Sequence, residues 1–165
     1  MSLPFDIRTA VVADIPAIIE LFGPIDALHT AGAPYAFRGS SAIPRAAQRI
    51  EELIAGPNTT ILVAAVDERV VGQVGIEIVV IADRMPFVPR QYGLVQDLMV
   101  AASARERGIG SALMAAAEHW VTAQGVEAME LNVWAFNESA LRLYERLGYA
   151  TQMRRLRRVL AQGES

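Results

Sequence analysis

The sequence predicts a mixed α/β (α+β) domain, and three observations carry that expectation. The longest apolar runs, 61–66 and 74–81, are strand-sized. Segment 108–124 instead places apolar side chains at 109, 112, 113, 116, 117, 120 and 121, a helical spacing. Strand and helix signals also alternate along the chain, so that one strand, helix, strand unit over 92–134 should form a right-handed parallel crossover.

Taken in order, residues 5–12 read as a strand and 14–22 as a helix, opened by Asp14 as a cap and by Pro16 in the first turn. Residues 23–39 are rich in Gly, Pro and Ala with scattered aromatics, and read as a flexible cap over a site. A second helix over 41–55 is stopped by Gly56 and Pro57. Three strands follow at 59–67, 70–81 and 92–100, an antiparallel meander. The helix at 108–124 comes next, then a strand at 126–134. A helix at 137–147 is capped by Asn137 and stopped at Gly148, and a last strand is expected at 149–160. No internal repeat or low-complexity segment interrupts this order. The 165 residues, 53% hydrophobic and 20% charged, suit one domain with a single core spanning 1–165.

Composition narrows the chemistry. There are 0 cysteines, which removes disulfides, thiolate metal sites and a cysteine nucleophile. The two histidines, His29 and His119, are too few and too scattered for a zinc site, so no metal is expected. A net charge of −3 gives no general attraction to nucleic acid and weakly favours cationic substrates such as amines. The run Arg154, Arg155, Leu156, Arg157, Arg158 is basic, but in a terminal strand it reads as protection of an exposed edge. No apolar stretch approaches the length of a membrane span, and the N-terminus carries no secretory pattern, so a cytoplasmic location without membrane attachment is expected.

The informative stretch runs from Leu98, Met99 and Val100 through Arg105 and Arg107 to Gly108, Ile109, Gly110 and Ser111. A strand ends, a short basic loop follows, and a glycine pair opens a helix. The first turn of a helix has backbone N–H groups without internal partners and the positive end of the dipole. Glycines let a phosphate approach that backbone, and the arginines add charge-assisted donors. An anion site for a phosphate or pyrophosphate is the inference, set against plain loop glycines and solvated arginines.

Arg105-x-x-Gly108-x-Gly110 after that strand resembles the coenzyme A signature of the GNAT superfamily of N-acetyltransferases, which reads Gln or Arg, two residues, Gly, one residue, Gly or Ala. The segment from Asn137 through Ala140, Leu143 and Tyr144 to Gly148 and Tyr149 resembles that family's second motif. The order of elements agrees with that fold from end to end. The resemblance implies a mixed central sheet of six or seven strands with four helices, splayed in the middle to hold acyl-CoA. It implies that the pyrophosphate sits on the N–H groups of residues 107–111. The pantetheine arm would pair with the backbone of Leu98, Met99 and Val100, and Asn137 would contact its end. The splay is carried over, since the sequence shows no bulge between the strands.

The activity implied is transfer of an acetyl group from acetyl-CoA to a primary amine of a small molecule or peptide, by direct attack in a ternary complex. Such a transfer needs a neutral nucleophile, a polarised carbonyl and a protonated leaving thiolate. Tyr144 stands at the family's general-acid position, beside the alternative of a core tyrosine. Asp97, in the strand whose end would bind pantetheine, is the first choice of base. Some relatives carry an acidic pair where this chain has Gln96 and Asp97, and Glu77 and Glu130 are the alternatives. His29, Tyr35, Phe37 and Arg38 are candidates to line the acceptor site, and His119 reads as structural. Dimers are common in the family. Two rival readings are a non-catalytic acyl-CoA-binding module and a dinucleotide-binding oxidoreductase. The latter would want a third glycine where the chain has Leu113, and a tight turn where it has a seven-residue loop over 101–107.

Overall fold

A computed structural model describes residues 5–38 and 43–160 of the chain. Among these residues a sheet of five strands lies between two helix pairs. Strands β1 (Asp6–Thr9), β2 (Thr59–Val66), β3 (Arg69–Ile81), β4 (Arg90–Val100) and β5 (Met129–Leu131) follow one another in space in the same order. The first three junctions are antiparallel. The last, β4 to β5, is parallel, as the strand, helix, strand unit requires. The helices are α1 (Ile15–Gly32), α2 (Ile43–Ala55), α3 (Ile109–Ala123) and α4 (Glu138–Arg146).

Period-2 alternation sorts the strand residues between two cores. Leu62, Ala64, Val74, Ile76 and Val95 face α3, whose Ile109, Leu113, Ala117 and Val121 recur every four residues and are buried against them. Tyr144 and Leu147 bring α4 onto the same face. Ile61 and Val63 point the other way, to Ile18 of α1 and to Ile50 and Leu53 of α2. The β2–β3 hairpin turns on Asp67 and Glu68, both with positive φ (46° and 64°), the two-residue geometry whose twist matches the flanking strands.

Three expectations are corrected. The first helix does not end at 22: α1 runs to Gly32 with Pro24 inside it. Most of the expected flexible cap is therefore helix. Ile18, Leu21, Phe22 and Ile25 continue one apolar face, and packing that face against the sheet offsets the roughly 3 kcal/mol that an interior proline removes. The expected strand over 149–160 has no ladder partner, and beyond Tyr149 it is exposed, so the sheet has five strands among the described residues and not six or seven. The neighbouring edge, β5, is only three residues long, too short to repay ordering so arginine-rich a segment. Asp14 does occupy the N-cap of α1, yet its carboxylate bonds no helix N–H. It takes a forked pair of bonds from the Arg8 guanidinium, at 2.7 and 2.8 Å, and one from the Val11 N–H at 2.9 Å, tying β1 to the helix start. The second helix is described from residue 43, and its expected first two positions lie outside the described residues.

Candidate active site

The site is built where β4 and β5 part. Their ladder holds for three pairs, Gly93 with Met129, Leu94 with Glu130 and Val95 with Leu131, and stops there. Beyond it the chains diverge around a cleft of about 210 Å³, lined on one side by residues 95–99 and on the other by 131–134, with Asn137, Ala140 and Tyr144 of α4 and Ile25 and His29 of α1 completing it. The splay implied by the resemblance is therefore present. A bulge accompanies it: Asp97 pairs with Gly75 and Val95 with Ile76, leaving Gln96 as an extra residue on β4. Bulges of this kind re-aim side chains beside binding sites. Here the Gln96 amide reaches Glu77 Oε2 at 2.7 Å, and Asp97 is turned to the α1 and α2 face.

Asp97 and Tyr144 reach the cleft from opposite faces of the sheet, and the gap between the strands lets them meet. Burial pushes the Asp97 carboxyl above the ordinary carboxylate range; the charge of Arg49 opposes this and that of Asp26 adds to it. Burial and the nearby Asp97 charge push the Tyr144 phenol up to about 12, so it remains protonated at neutral pH. Behind Tyr144 stands Tyr149, its ring centroid 5.8 Å away, its hydroxyl against Glu118 at 3.3 Å, its N–H on the Tyr144 carbonyl at 2.9 Å. The closing aromatic of the second motif is thus a buttress for the tyrosine. The alternative bases are placed apart: Glu77 takes hydrogen bonding from Gln96 and an ion pair from Arg49 at 3.6 Å, and Glu130 lies in the paired part of β5. Neither lines the cleft.

Beyond the end of β4 the chain makes a short 3-10 turn, Ala102–Ala104, and enters α3 through Gly108. Gly108 has φ +78°, a left-handed conformation that side chains other than glycine adopt at some strain. At Gly110 a Cβ would stand 3.4 Å from Leu143 Cδ2 and 4.0 Å from Val100 Cγ2, ordinary contact distances, so of the two glycines only Gly108 is required by the path of the chain. The N–H groups of Ile109, Gly110 and Ser111 sit in the first turn, where helix geometry supplies no acceptor. Arg105 folds back so that its Nε donates to the Val100 carbonyl at 3.3 Å, and Arg107 is exposed. Leu98, Met99 and Val100, on the far side of the ladder's end, have strand partners only on β3. Asn137 caps α4, its Oδ1 accepting the Ala140 N–H at 3.2 Å, while also lining the cleft. A helix N-terminus, a free strand edge and a cleft between them fit a phosphorylated, extended ligand such as coenzyme A.

The cap residues divide. His29 stacks on Phe37 at 4.6 Å between ring centroids, Phe37 meets Trp134 at 5.4 Å, and Trp134 stacks on Phe136 at 5.5 Å. Burial holds the His29 imidazole below its ordinary value, toward the neutral form. Of these four rings His29 and Trp134 line the cleft, and Phe37 and Phe136 pack against them. Tyr35 and Arg38 are exposed; Tyr35 carries the Arg157 guanidinium 3.7 Å over its ring. His119 is exposed on α3. The sequence reading missed Trp134 and Phe136. No local pattern in the sequence marks them: a Cβ on Gly32 would come within 2.6 Å of the Phe136 ring, a contact between residues about a hundred positions apart. Among the described residues no group of histidines and carboxylates could hold a metal ion, and no helix is long and apolar enough to cross a membrane.

The model of the acetyltransferase (GNAT) family matches residues 27–149. No curated protein sequence matches the chain. Among solved structures, a tetramutant of the BH1408 protein from Bacillus halodurans is 27% identical, covers 94% of this chain and 99% of its own, and superposes with a TM-score of 0.88. A predicted acetyltransferase from Clostridium acetobutylicum, solved with acetyl-CoA, is 10% identical over 94% of this chain and 96% of its own (TM-score 0.69). The aminoglycoside 6'-N-acetyltransferase of Acinetobacter haemolyticus is 16% identical over 96% and 99% (TM-score 0.72). The last two similarities show a common fold. With the family model matching three quarters of the sequence, strand splay and motif residues included, the chain belongs to the GNAT family of acetyltransferases, enzymes that take their acyl group from acetyl-CoA.

Proposed function

We propose that the protein acetylates a primary amine, using Asp97 as the base and Tyr144 as the donor to the leaving sulfur, with amine and acetyl-CoA bound together. The observation that carries this is the meeting of Asp97 and Tyr144 in one cleft, from opposite faces of the sheet, at the point where β4 loses its neighbour.

Acetyl-CoA supplies an acetyl group activated as a thioester. In this reading the N–H groups of Ile109, Gly110 and Ser111 hold its pyrophosphate, with Arg105 and Arg107 at the rim of that turn. The unpaired edge of Leu98, Met99 and Val100 and the Asn137 side chain align its arm. An amine arrives as an ammonium, and the Asp97 carboxylate takes its proton. A base works best when its pKa approaches the operating pH, so the upward shift from burial makes Asp97 better suited than an exposed carboxylate. As nitrogen bonds to the acetyl carbon and the carbon–sulfur bond breaks, the Tyr144 hydroxyl donates to the sulfur. A phenol near 12 is a weaker acid than a thiol at about 8.5. Tyr144 therefore acts chiefly by a hydrogen bond that strengthens as negative charge builds on sulfur. The nitrogen loses two protons in all: the first, taken by Asp97, passes on to solvent, and the second, shed as the tetrahedral adduct collapses to the amide, ends on the sulfur as the free thiol.

The test is acetyl-CoA turnover, followed as free thiol release, against a panel of amines, amino acids, aminoglycosides and peptide N-termini, with wild type beside Tyr144→Phe. An accelerating amine, and a loss of roughly 10²-fold or more in kcat for Tyr144→Phe with acetyl-CoA affinity kept, are expected. Binding of acetyl-CoA without turnover of any amine would favour a binding module and refute the proposal.

A further inference from the structure

A second cavity, of about 120 Å³, lies on the α1 and α2 side of the sheet, and Asp97 lines it as well as the cleft. Asp97 is thus the doorway between the two spaces. The cavity's walls are chiefly apolar, with Ile18 and Phe22 from α1, Ile50 and Leu53 from α2, and Ile61 from the sheet. Gln73 is different. It is 2% exposed and lines the cavity, a polar side chain among apolar walls. An apolar group pressed against this amide would leave its N–H and C=O without partners, at a cost of a few kcal/mol, so an occupant with a hydrogen-bonding atom facing Gln73 is favoured.

Glycine makes the room. A Cβ on Gly75 would lie 3.7 Å from Gln96 Cβ, 3.8 Å from Leu53 Cδ1 and 3.9 Å from Gln73 Oε1, ordinary contact distances. A side chain would therefore fit there and take space from the cavity. Its charges are already engaged or assigned: Arg49 pairs with Glu77 at 3.6 Å and with Glu52 at 3.7 Å, and Asp97 faces the reacting nitrogen. A charged group driven inward would meet only an amide, an unfavourable burial.

Resting on the transferase reading above, we propose that this cavity receives the non-reacting end of the acceptor. The acceptor is then a primary amine on a short aliphatic stem that ends in an uncharged hydrogen-bonding group, a hydroxyl or carboxamide, facing Gln73. A cavity of about 150 Å³ accommodates benzene, which places the stem and its end group at roughly four or five non-hydrogen atoms. The amine stays at Asp97, between cavity and cleft.

The experiment measures thiol release from acetyl-CoA with a ladder of ω-amino alcohols of increasing length, the matching alkylamines and the matching diamines, on wild type, Gly75→Ala and Gln73→Met, with acetyl-CoA affinity measured for each. In wild type, kcat/KM should rise with length, peak at the fitting stem and fall beyond it, with the amino alcohol preferred over the alkylamine and diamine of equal length. Gly75→Ala should move the peak to a shorter stem, lowering the best wild-type acceptor roughly tenfold relative to the next shorter one. Gln73→Met should remove the preference for the hydroxyl, also by roughly tenfold. If either variant changes all amines by one common factor, or if length has no optimum, the cavity does not select the acceptor and this proposal fails while the transferase reading stands. If acetyl-CoA binds and no amine in any series turns over, both fall.

Discussion

Replacing Gly93 by alanine tests how the cleft is set. Gly93 opens the β4–β5 ladder, two pairs before the strands separate: it pairs with Met129, and its N–H donates to the Ala128 carbonyl at 2.8 Å. A Cβ there would lie 2.5 Å from Val121 Cγ2, 3.1 Å from Val121 Cγ1 and 3.4 Å from Met129 Cγ. Val121 cannot simply rotate, because a β-branched residue in a helix has one strongly preferred χ1 and this one is 2% exposed. Overpacking of this kind destabilises by about 1–3 kcal/mol, while replacing glycine returns about 0.5–1 kcal/mol by restricting the unfolded chain. A 2.5 Å contact with a side chain that cannot turn away puts the overpacking in the upper half of its range, so the net expectation is a loss of about 1–2.5 kcal/mol, which for a chain of this size lowers Tm by roughly 2–10 °C. Differential scanning fluorimetry or urea melts on Gly93→Ala, Val121→Ala and the double variant measure it. In the double variant the two losses should fall short of their sum by at least about 0.5 kcal/mol, because removing the Val121 methyls relieves the clash. A Tm for Gly93→Ala within about 1 °C of wild type, or strict additivity, would refute the reasoning.

Further predictions concern the charged and strained positions. Asp97→Asn should lower kcat/KM by roughly 10²–10⁴-fold and abolish an acid-side inflection in its pH profile that lies above the ordinary carboxylate value; an unaltered profile assigns the base elsewhere. The same variant should raise thermal stability at neutral pH, since a carboxyl whose folded pKa is raised disfavours the folded state once pH exceeds its unfolded value. Asp14 behaves oppositely. Its carboxyl is held below the ordinary value by the hydrogen bonds from Arg8 and Val11, so its stabilisation is present above the unfolded pKa and lost as pH falls through the lower folded one. Asp14→Asn should cost about 2 kcal/mol at neutral pH, and urea melts should show the gap from wild type closing in acid. Gly108→Ala meets no neighbour within 4 Å, so its effect is backbone strain alone, about 1–2 kcal/mol. Gly108→Asn should recover part of that loss, and titration with acetyl-CoA should show weakened binding in both.

Most of the elements and the kind of chemistry are legible in local patterns of residues. Strand-sized apolar runs between turn residues marked β2, β3 and β4 to within about two residues, and the repeat of apolar positions marked α3. Asn137 and Gly148 bracketed α4, because capping and left-handed residues act within a turn of the chain. The two motifs, read in order, pointed to the acetyltransferase family. What the sequence left open depends on partners distant along the chain. Pro24 stays within α1 because one face of that helix is buried against the sheet, a gain that no local preference records. The segment over 149–160, set off by Gly148, reads as a strand, but a strand needs an edge to pair with, and β5 offers three residues. The same holds at the site. Gln96 reads as one more strand residue until the β3 register shows that it is extra, and that shift turns Asp97 toward both cavities. Gln73 and Gly75 belong to no motif. They acquire meaning only where α1, α2 and the sheet close around them, since a cavity is defined by the side chains that fail to fill it.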